Sequence, residues 1–124
     1  MLHNENDLSY LMDIVDCIMD IHEFTKSIAY YQFENDKMRK LAVERQLEVI
    51  GQAANKISKE TQNKIENVPW GNLIGLRNKL AHDYGDILAE RIWTISKKSI
   101  QELLKELTKI DEIKEYINTK YNYL

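Results

Sequence analysis

The sequence predicts an all-α fold. The expected architecture is an up-and-down bundle of about four main helices plus short helices, in one domain spanning 1–124. Three observations carry that expectation. The chain has one Pro and four Gly, and Pro69, Gly71, Gly75 and Gly85 all fall between residues 69 and 85. A sheet of this size would need turn residues spread along the chain. Outside that cluster, apolar residues recur at helical spacing over long stretches. Finally, 124 residues suffice for one continuous core but not for two independent ones.

The first helix is expected from about Asn6 to Tyr30. Leu8, Leu11, Val15, Ile18 and Met19 form its apolar stripe, and Asp13, Asp16, Asp20 and Glu23 repeat on another face. The acidic stripe reads as a solvated surface; a docking face for a basic partner is the sharper alternative. Asn35 or Asp36 then offers a side-chain oxygen to cap a second helix, Lys37 to about Lys56. Val43, Leu47, Ile50, Ala54 and Ile57 line its inner side, and "GQAAN", residues 51–55, is rich in small residues. Gly51 costs helix propensity. Close approach of another helix would explain it; a tolerated interior glycine is the plain alternative.

Ser58 is placed to cap a short helix in "SKETQNKIENV". Pro69 suits the first turn of the next helix, where a missing N–H is no loss. That helix carries Leu73, Leu76 and Leu80 inward and ends near His82, because Gly85 suits a left-handed C-terminal position. Asp86 is placed to cap a long last helix whose core face is Leu88, Ile92, Ile95, Leu103 and Leu107. A tail from Asp111 to Tyr121 is also expected to be helical. Tyr116, Tyr121 and Tyr123 are open between packing and exposure.

Composition excludes several classes. Net charge is −3, so no global field draws the chain to nucleic acid or membrane. Residues 1–36 hold eight acids and one Lys, a net of −7, while residues 37–124 hold sixteen bases and twelve acids, a net of +4. A modest basic surface beyond the first helix is compatible with that split. The single cysteine, Cys17, forbids an internal disulfide and favours a reducing compartment. No run is apolar enough to span a bilayer, and "MLHNENDLSY" is not a secretory signal. The expected location is cytoplasmic.

The stretch "GLRNKLAHDYGD", residues 75–86, gathers Arg77, His82 and Tyr84. It has a purely structural reading: His82 near a helix C-terminus, where a cation meets exposed carbonyls, Arg77 on the surface and Tyr84 against the bundle end. It also has a chemical one. An arginine offers a permanent fork matching phosphate oxygens, and an imidazole titrates near neutral pH and moves protons. Together they suit metal-independent cleavage of RNA by its own 2′-hydroxyl, with His82 acting on the proton and Arg77 on the charge growing at phosphorus. Five residues turn an ideal helix by about 140°, so the two converge only if His82 sits where the helix unwinds or if they face one cleft from either side. The reaction uses both a base and an acid. A two-fold dimer would supply a second His82.

"RNKLAHDY" resembles the R-x4-H-x-Y signature of HepT-type toxins, a branch of the HEPN ribonuclease superfamily, and Asn78 matches the polar residue that commonly follows the Arg. "RQLEVIGQAANKIS" and "VPWGNLIGLRNKLAHDYGDI" resemble the family in order and spacing, so the likeness covers nearly the whole chain and is most specific between residues 44 and 93. The resemblance implies a homodimeric helical bundle acting as the toxin of a type VII-like toxin–antitoxin system. Arg77 and His82 would be its catalytic pair and Asn78 their support. Tyr84 would be the tyrosine to which a minimal nucleotidyltransferase antitoxin transfers AMP. An anionic, bulky group two residues from His82 would block the cleft and repel RNA phosphates. No cofactor and no metal are implied. The rival reading is a non-catalytic helical module that dimerises and binds a nucleotidyltransferase or RNA; a small-ligand-binding bundle is more distant.

Other signals are weaker. "HEFTK" has Lys26 where a zinc helix needs its second His. His3 lies near the terminus, and His22 reads as a surface or boundary residue on an acidic helix. Cys17 reads as a buried thiol. The chain lacks a glycine-rich phosphate loop. Trp70 and Trp93 read as packing residues rather than base-stacking platforms. Glu44 and Glu48 lack histidines at the spacing of bundle metal sites.

Overall fold

The computed structural model describes residues 4–82 and 87–121, and the described residues are all-α. In chain order, α1 is Glu5–Thr25, α2 Tyr30–Glu34, α3 Lys37–Lys56, α4 Lys59–Lys64, α5 Trp70–His82, α6 Ala89–Thr94, α7 Ile100–Leu107 and α8 Asp111–Tyr121. A π-helical segment, Ile95–Ser99, joins α6 to α7. His3, Tyr84, Gly85, Asp86 and Tyr123, on which several expectations fall, lie outside the described residues. No helix among those described is long and apolar enough to cross a membrane.

Local chemistry sets most helix starts. Asn4 Oδ1 accepts from Asp7 N at 3.0 Å, and Asp36 Oδ1 accepts from Arg39 N at 3.0 Å. Ser58 Oγ accepts from Thr61 N at 3.2 Å. Pro69 O accepts from Asn72 N and Leu73 N at the start of α5. Just before it, Asn67 has a φ of 65°, the left-handed region that asparagine tolerates better than most residues. The expected spans of α3 and α8 match the structure; the expected stop of α5 at Gly85 lies outside the described residues.

Two elements depart from expectation. The first helix ends at Thr25, not Tyr30. Its last carbonyls are taken by cations from elsewhere in the fold: Arg39 Nη1 donates to Phe24 O, and Lys97 Nζ donates to Thr25 O at 3.2 Å. Those charges complement the helix's negative end and turn the chain into α2. The last long helix begins at Ala89, and Leu88 is its N-cap residue, 74 % exposed rather than in the core. Ile100 N donates to Ile95 O, a bond one residue longer than an α-helical one, so the π turn shifts the register. Ser96 is thereby brought inside between Ile92 and Ile100, and its Oγ donates to Ile92 O at 2.8 Å.

The core is built on α1, α3 and α7. Leu11, Ile14, Val15 and Ile18 meet Val43, Leu47, Ile50 and Ala54, with Ile100, Leu103 and Leu107 closing the far side. Phe33 of α2 is fully buried and packs 5.2 Å from the Trp93 ring, whose other neighbours include Tyr30 and the Lys97 ammonium. Trp70 is buried with its indole N–H donating to Gln62 O at 3.2 Å. Both tryptophans are packing residues, as expected. Helix α5 is less complete: Leu73, Leu76 and Leu80 point toward the core but are only half-buried.

Two acidic residues have roles the sequence reading did not give them. Asp13, Asp20 and Glu23 are exposed, as a solvated stripe requires. Asp16 of the same stripe is half-buried and accepts hydrogen bonds from Tyr116 Oη at 2.9 Å and from Tyr121 Oη, beside the Lys120 ammonium at 3.1 Å. It therefore fastens α8 to α1, and Tyr116 and Tyr121 are packing residues. Asp7, near the N-terminus, is buried and accepts from Ser58 N at 3.0 Å and from the Ser58 and Thr61 hydroxyls. Burial pushes its carboxyl up, but these hydrogen bonds together outweigh burial and leave it below the ordinary aspartate value.

Candidate functional site

The contact between α3 and α5 is set by one missing side chain. A Cβ on Gly51 would lie 2.2 Å from Arg77 Cβ and 2.7 Å from Leu73 O. Those atoms belong to or adjoin the α5 backbone and cannot swing aside. Gly51 is thus required for the close approach, and the reading of it as a merely tolerated glycine is excluded. Ala53 and Ala54 beside it are buried as well.

This approach places Arg77 at the seam of the two helices. The residue is half-buried, and its Nε is enclosed without a hydrogen-bond partner among the described residues. Its Nη1 donates to Asn78 Oδ1 at 3.2 Å. Arg77 and Asn78 line an open groove of about 270 Å³ together with Ile74 of α5 and with Gln52, Asn55 and Lys56 of α3. An enclosed guanidinium N–H with no acceptor is costly, and such orphaned groups mark places where a ligand or partner completes the structure.

His82 is the last residue of α5 and is exposed. It is not among the residues lining the groove. The described chain holds Arg77 and Asn78 together and does not bring His82 to them: His82 is still helical. The expected modification position, Tyr84, lies outside the described residues.

Gln52, Asn55 and Lys56 were absent from the sequence-based set of site residues. The sequence reading noticed their segment only for its small residues. The signal it carried was the i, i+3, i+4 spacing of two amides and a cation on the side of α3 away from Val43, Leu47 and Ile50.

Remaining ionisable groups resolve simply. Cys17 is buried, and burial, with Asp20, Asp13 and Asp16 nearby, pushes its thiol up to about 12, which makes it unreactive at neutral pH. Glu44 is half-buried, and desolvation raises its carboxyl. Glu48 pairs with Arg45 at 3.0 Å. His22 is exposed on α1.

An all-α bundle with an Arg-Asn pair set at a helix seam, a histidine at the same helix's end and an amide-lined groove alongside defines a small helical protein equipped for an anionic ligand. The family follows from comparison with known proteins. The model of the family described as "Ribonuclease HepT-like" matches residues 14–110, and the chain belongs to that family of ribonucleases. It is 41 % identical over 99 residues to a Methanocaldococcus jannaschii protein named "Putative RNase MJ1380", covering 80 % of this chain and 91 % of that one. It is 34 % identical over 101 residues to "Probable ribonuclease HepT" of Thermococcus cleftensis, covering 82 % and 92 %. A Caldanaerobacter subterraneus protein, "Putative RNase TTE0752", is 35 % identical over 101 residues, covering 82 % and 90 %. No solved structure matches.

Proposed function

We propose that the chain is a metal-independent endoribonuclease acting as the toxin of a toxin–antitoxin pair in the cytoplasm, with Arg77 and His82 as its catalytic pair. The observation that carries the reading is the Arg77 guanidinium: held at the α3–α5 seam, bonded only to Asn78 among the described residues, and adjoining an open groove. A phosphate oxygen in the groove would accept from the outer guanidinium nitrogens. In the reaction, the 2′-oxygen loses its proton and bonds to the adjacent phosphorus, and the 5′-oxygen of the next nucleotide leaves and takes up a proton. The products are a 2′,3′-cyclic phosphate and a free 5′-hydroxyl. One imidazole accepts the first proton and a protonated one gives the second, while the guanidinium stabilises the phosphorane-like charge.

That division of labour asks for two histidines, and a two-fold dimer provides them. The half-buried Leu73, Leu76 and Leu80 support this reading, since they leave apolar area on the helix that carries the pair. Asn78 supports the site by accepting from Arg77. Tyr84 is the proposed acceptor of AMP from a nucleotidyltransferase antitoxin, by transfer from ATP to the phenol oxygen with loss of pyrophosphate.

The test uses protein made without any partner and a defined RNA in the presence of a chelator. The expected result is cleavage leaving cyclic phosphate ends, reduced about 10²–10⁴-fold in Arg77→Ala and His82→Ala, with both variants folded and dimeric. If the unmodified wild-type chain cuts no RNA, the non-catalytic binding module is the correct reading. Intact mass after co-expression with the nucleotidyltransferase reports on Tyr84: no adduct, or one retained in Tyr84→Phe, refutes that assignment.

A further inference from the structure

We propose that the groove between α3 and α5 is a base-reading subsite for a nucleotide of the RNA beside the cleaved bond, with Gln52 and Asn55 as its specificity-determining residues and Lys56 as its phosphate contact. The proposal rests on the ribonuclease reading above and extends it from cleavage to the choice of sequence.

The groove has a defined chemistry. Its lining holds two cations, Lys56 and Arg77, three amides, Gln52, Asn55 and Asn78, and one apolar side chain, Ile74, with no carboxylate. A larger groove, at the α4–α8 end of the described residues, is the opposite case. It is lined by Glu66, Glu106, Asp111, Glu112 and Glu115 against Lys64 and Lys109, and it repels a polyanion. A polyanion therefore avoids that groove, and it is the α3–α5 groove that the proposed catalytic Arg77 lines.

Within the α3–α5 groove the residue types divide the work. Asn78 is engaged by Arg77. Gln52 and Asn55 make no side-chain hydrogen bond among the described residues, whereas the buried Gln62 amide is committed to Ala54 O and Ile57 O at 3.1 Å each. A free carboxamide offers two donors and an acceptor in one plane, which matches the edge of an unstacked base better than it matches a phosphate. Two such amides three residues apart on one helix present a ladder of donors and acceptors over one turn. Ile74 supplies an apolar surface for the base face. Lys56 is exposed, and its ammonium lies 5.8 Å from the centroid of the Tyr10 ring. That ring tethers the charge near the groove mouth, where a flanking phosphate passes. Arg77 at the other side holds the phosphate to be cut, so the base in the groove and the scissile bond are fixed relative to each other by the Gly51 contact.

The experiment uses the full chain carrying His82→Ala, made without a partner, and four labelled hexaribonucleotides that differ in one central base. Binding is measured by fluorescence anisotropy at several salt concentrations. The expected result is discrimination of about tenfold between the best and worst base, falling to about twofold or less in Gln52→Met and Asn55→Leu. Lys56→Ala weakens all four oligonucleotides about equally and makes the salt dependence shallower by about one phosphate contact. In chains with His82 intact, the amide variants spread cleavage over more sites without abolishing it. Unchanged base preference in both folded amide variants, or binding that never discriminates between bases, overturns the proposal. If the base preference is present and responds to these variants but His82-intact protein cuts nothing, the subsite stands and the cleavage reading fails.

Discussion

The Asp7 carboxylate accepts hydrogen bonds from Ser58 N, Ser58 Oγ and Thr61 Oγ1, whereas among the described residues the Arg77 guanidinium makes one, to Asn78, and keeps an enclosed Nε with none. Both are charged groups drawn into the seams of the same bundle. Around Asp7 the fold has supplied donors from the α3–α4 joint, and the residue fastens the start of α1 to that joint. Around Arg77 the fold has brought a helix close through Gly51, and no acceptor for the inner N–H stands among the described residues. A saturated buried charge is a structural fastening. An unsaturated one, with no partner for its Nε among the described residues and an open groove alongside, is the group on which the proposed function rests. The two regions show how the same burial is satisfied at one end of α3 and, among the described residues, left unsatisfied along its flank.

The comparison is broken or sharpened most strongly at Asp7. Asp7→Ala leaves a buried backbone N–H and two hydroxyls without an acceptor, and the expected loss is about 3 kcal/mol in denaturant unfolding. The sign with pH follows from the lowered carboxyl. Its stabilisation is present above the unfolded-state aspartate value, about 3.9, and is lost as pH falls through the lower native value. Asp7→Asn should therefore flatten the acid limb of the stability profile; an unchanged limb would show that Asp7 is no fastening.

Gly51→Ala comes next. The added methyl gains helix propensity but drives α5 away, with a net expected cost of about 2 kcal/mol. It also displaces Arg77, so RNA cleavage should fall further than stability does. A variant as stable and as active as the wild type would mean that the α3–α5 spacing is not what positions the arginine.

The smallest effect is expected at Arg77 itself. Arg77→Met keeps the aliphatic stem and removes the orphaned N–H, so the melting midpoint should stay within the equivalent of about 0.5 kcal/mol or rise, while cleavage is lost. A large destabilisation would make Arg77 a second Asp7 and remove the contrast.

The family was legible before any coordinates: the resemblance seen around Arg77, Asn78 and His82 agrees with the family comparison. Gln52, Asn55 and Lys56 were passed over because their value depends on which helix lies against α3, and nothing local states that. Leu88 was placed in the core because Leu88 and Ile92 sit four apart; the chain at Leu88 is not yet helical, and its side chain is exposed. Asp16 was assigned to the solvated stripe because its partners, Tyr116 and Tyr121, lie about a hundred residues away.

The sequence by itself determined the all-α class, the cap at Ser58 and the span of α3, and it narrowed the α3 cap to Asn35 or Asp36. Each follows from backbone groups satisfied within three or four residues. The tertiary structure alone decided that α1 ends at Thr25 under Arg39 and Lys97, that a π turn re-phases the helix after Thr94, and that Gly51 admits Arg77 to the seam. Those outcomes turn on atoms far apart in the chain that come within ångströms of each other only after the helices have packed, and a local pattern holds no record of such distances.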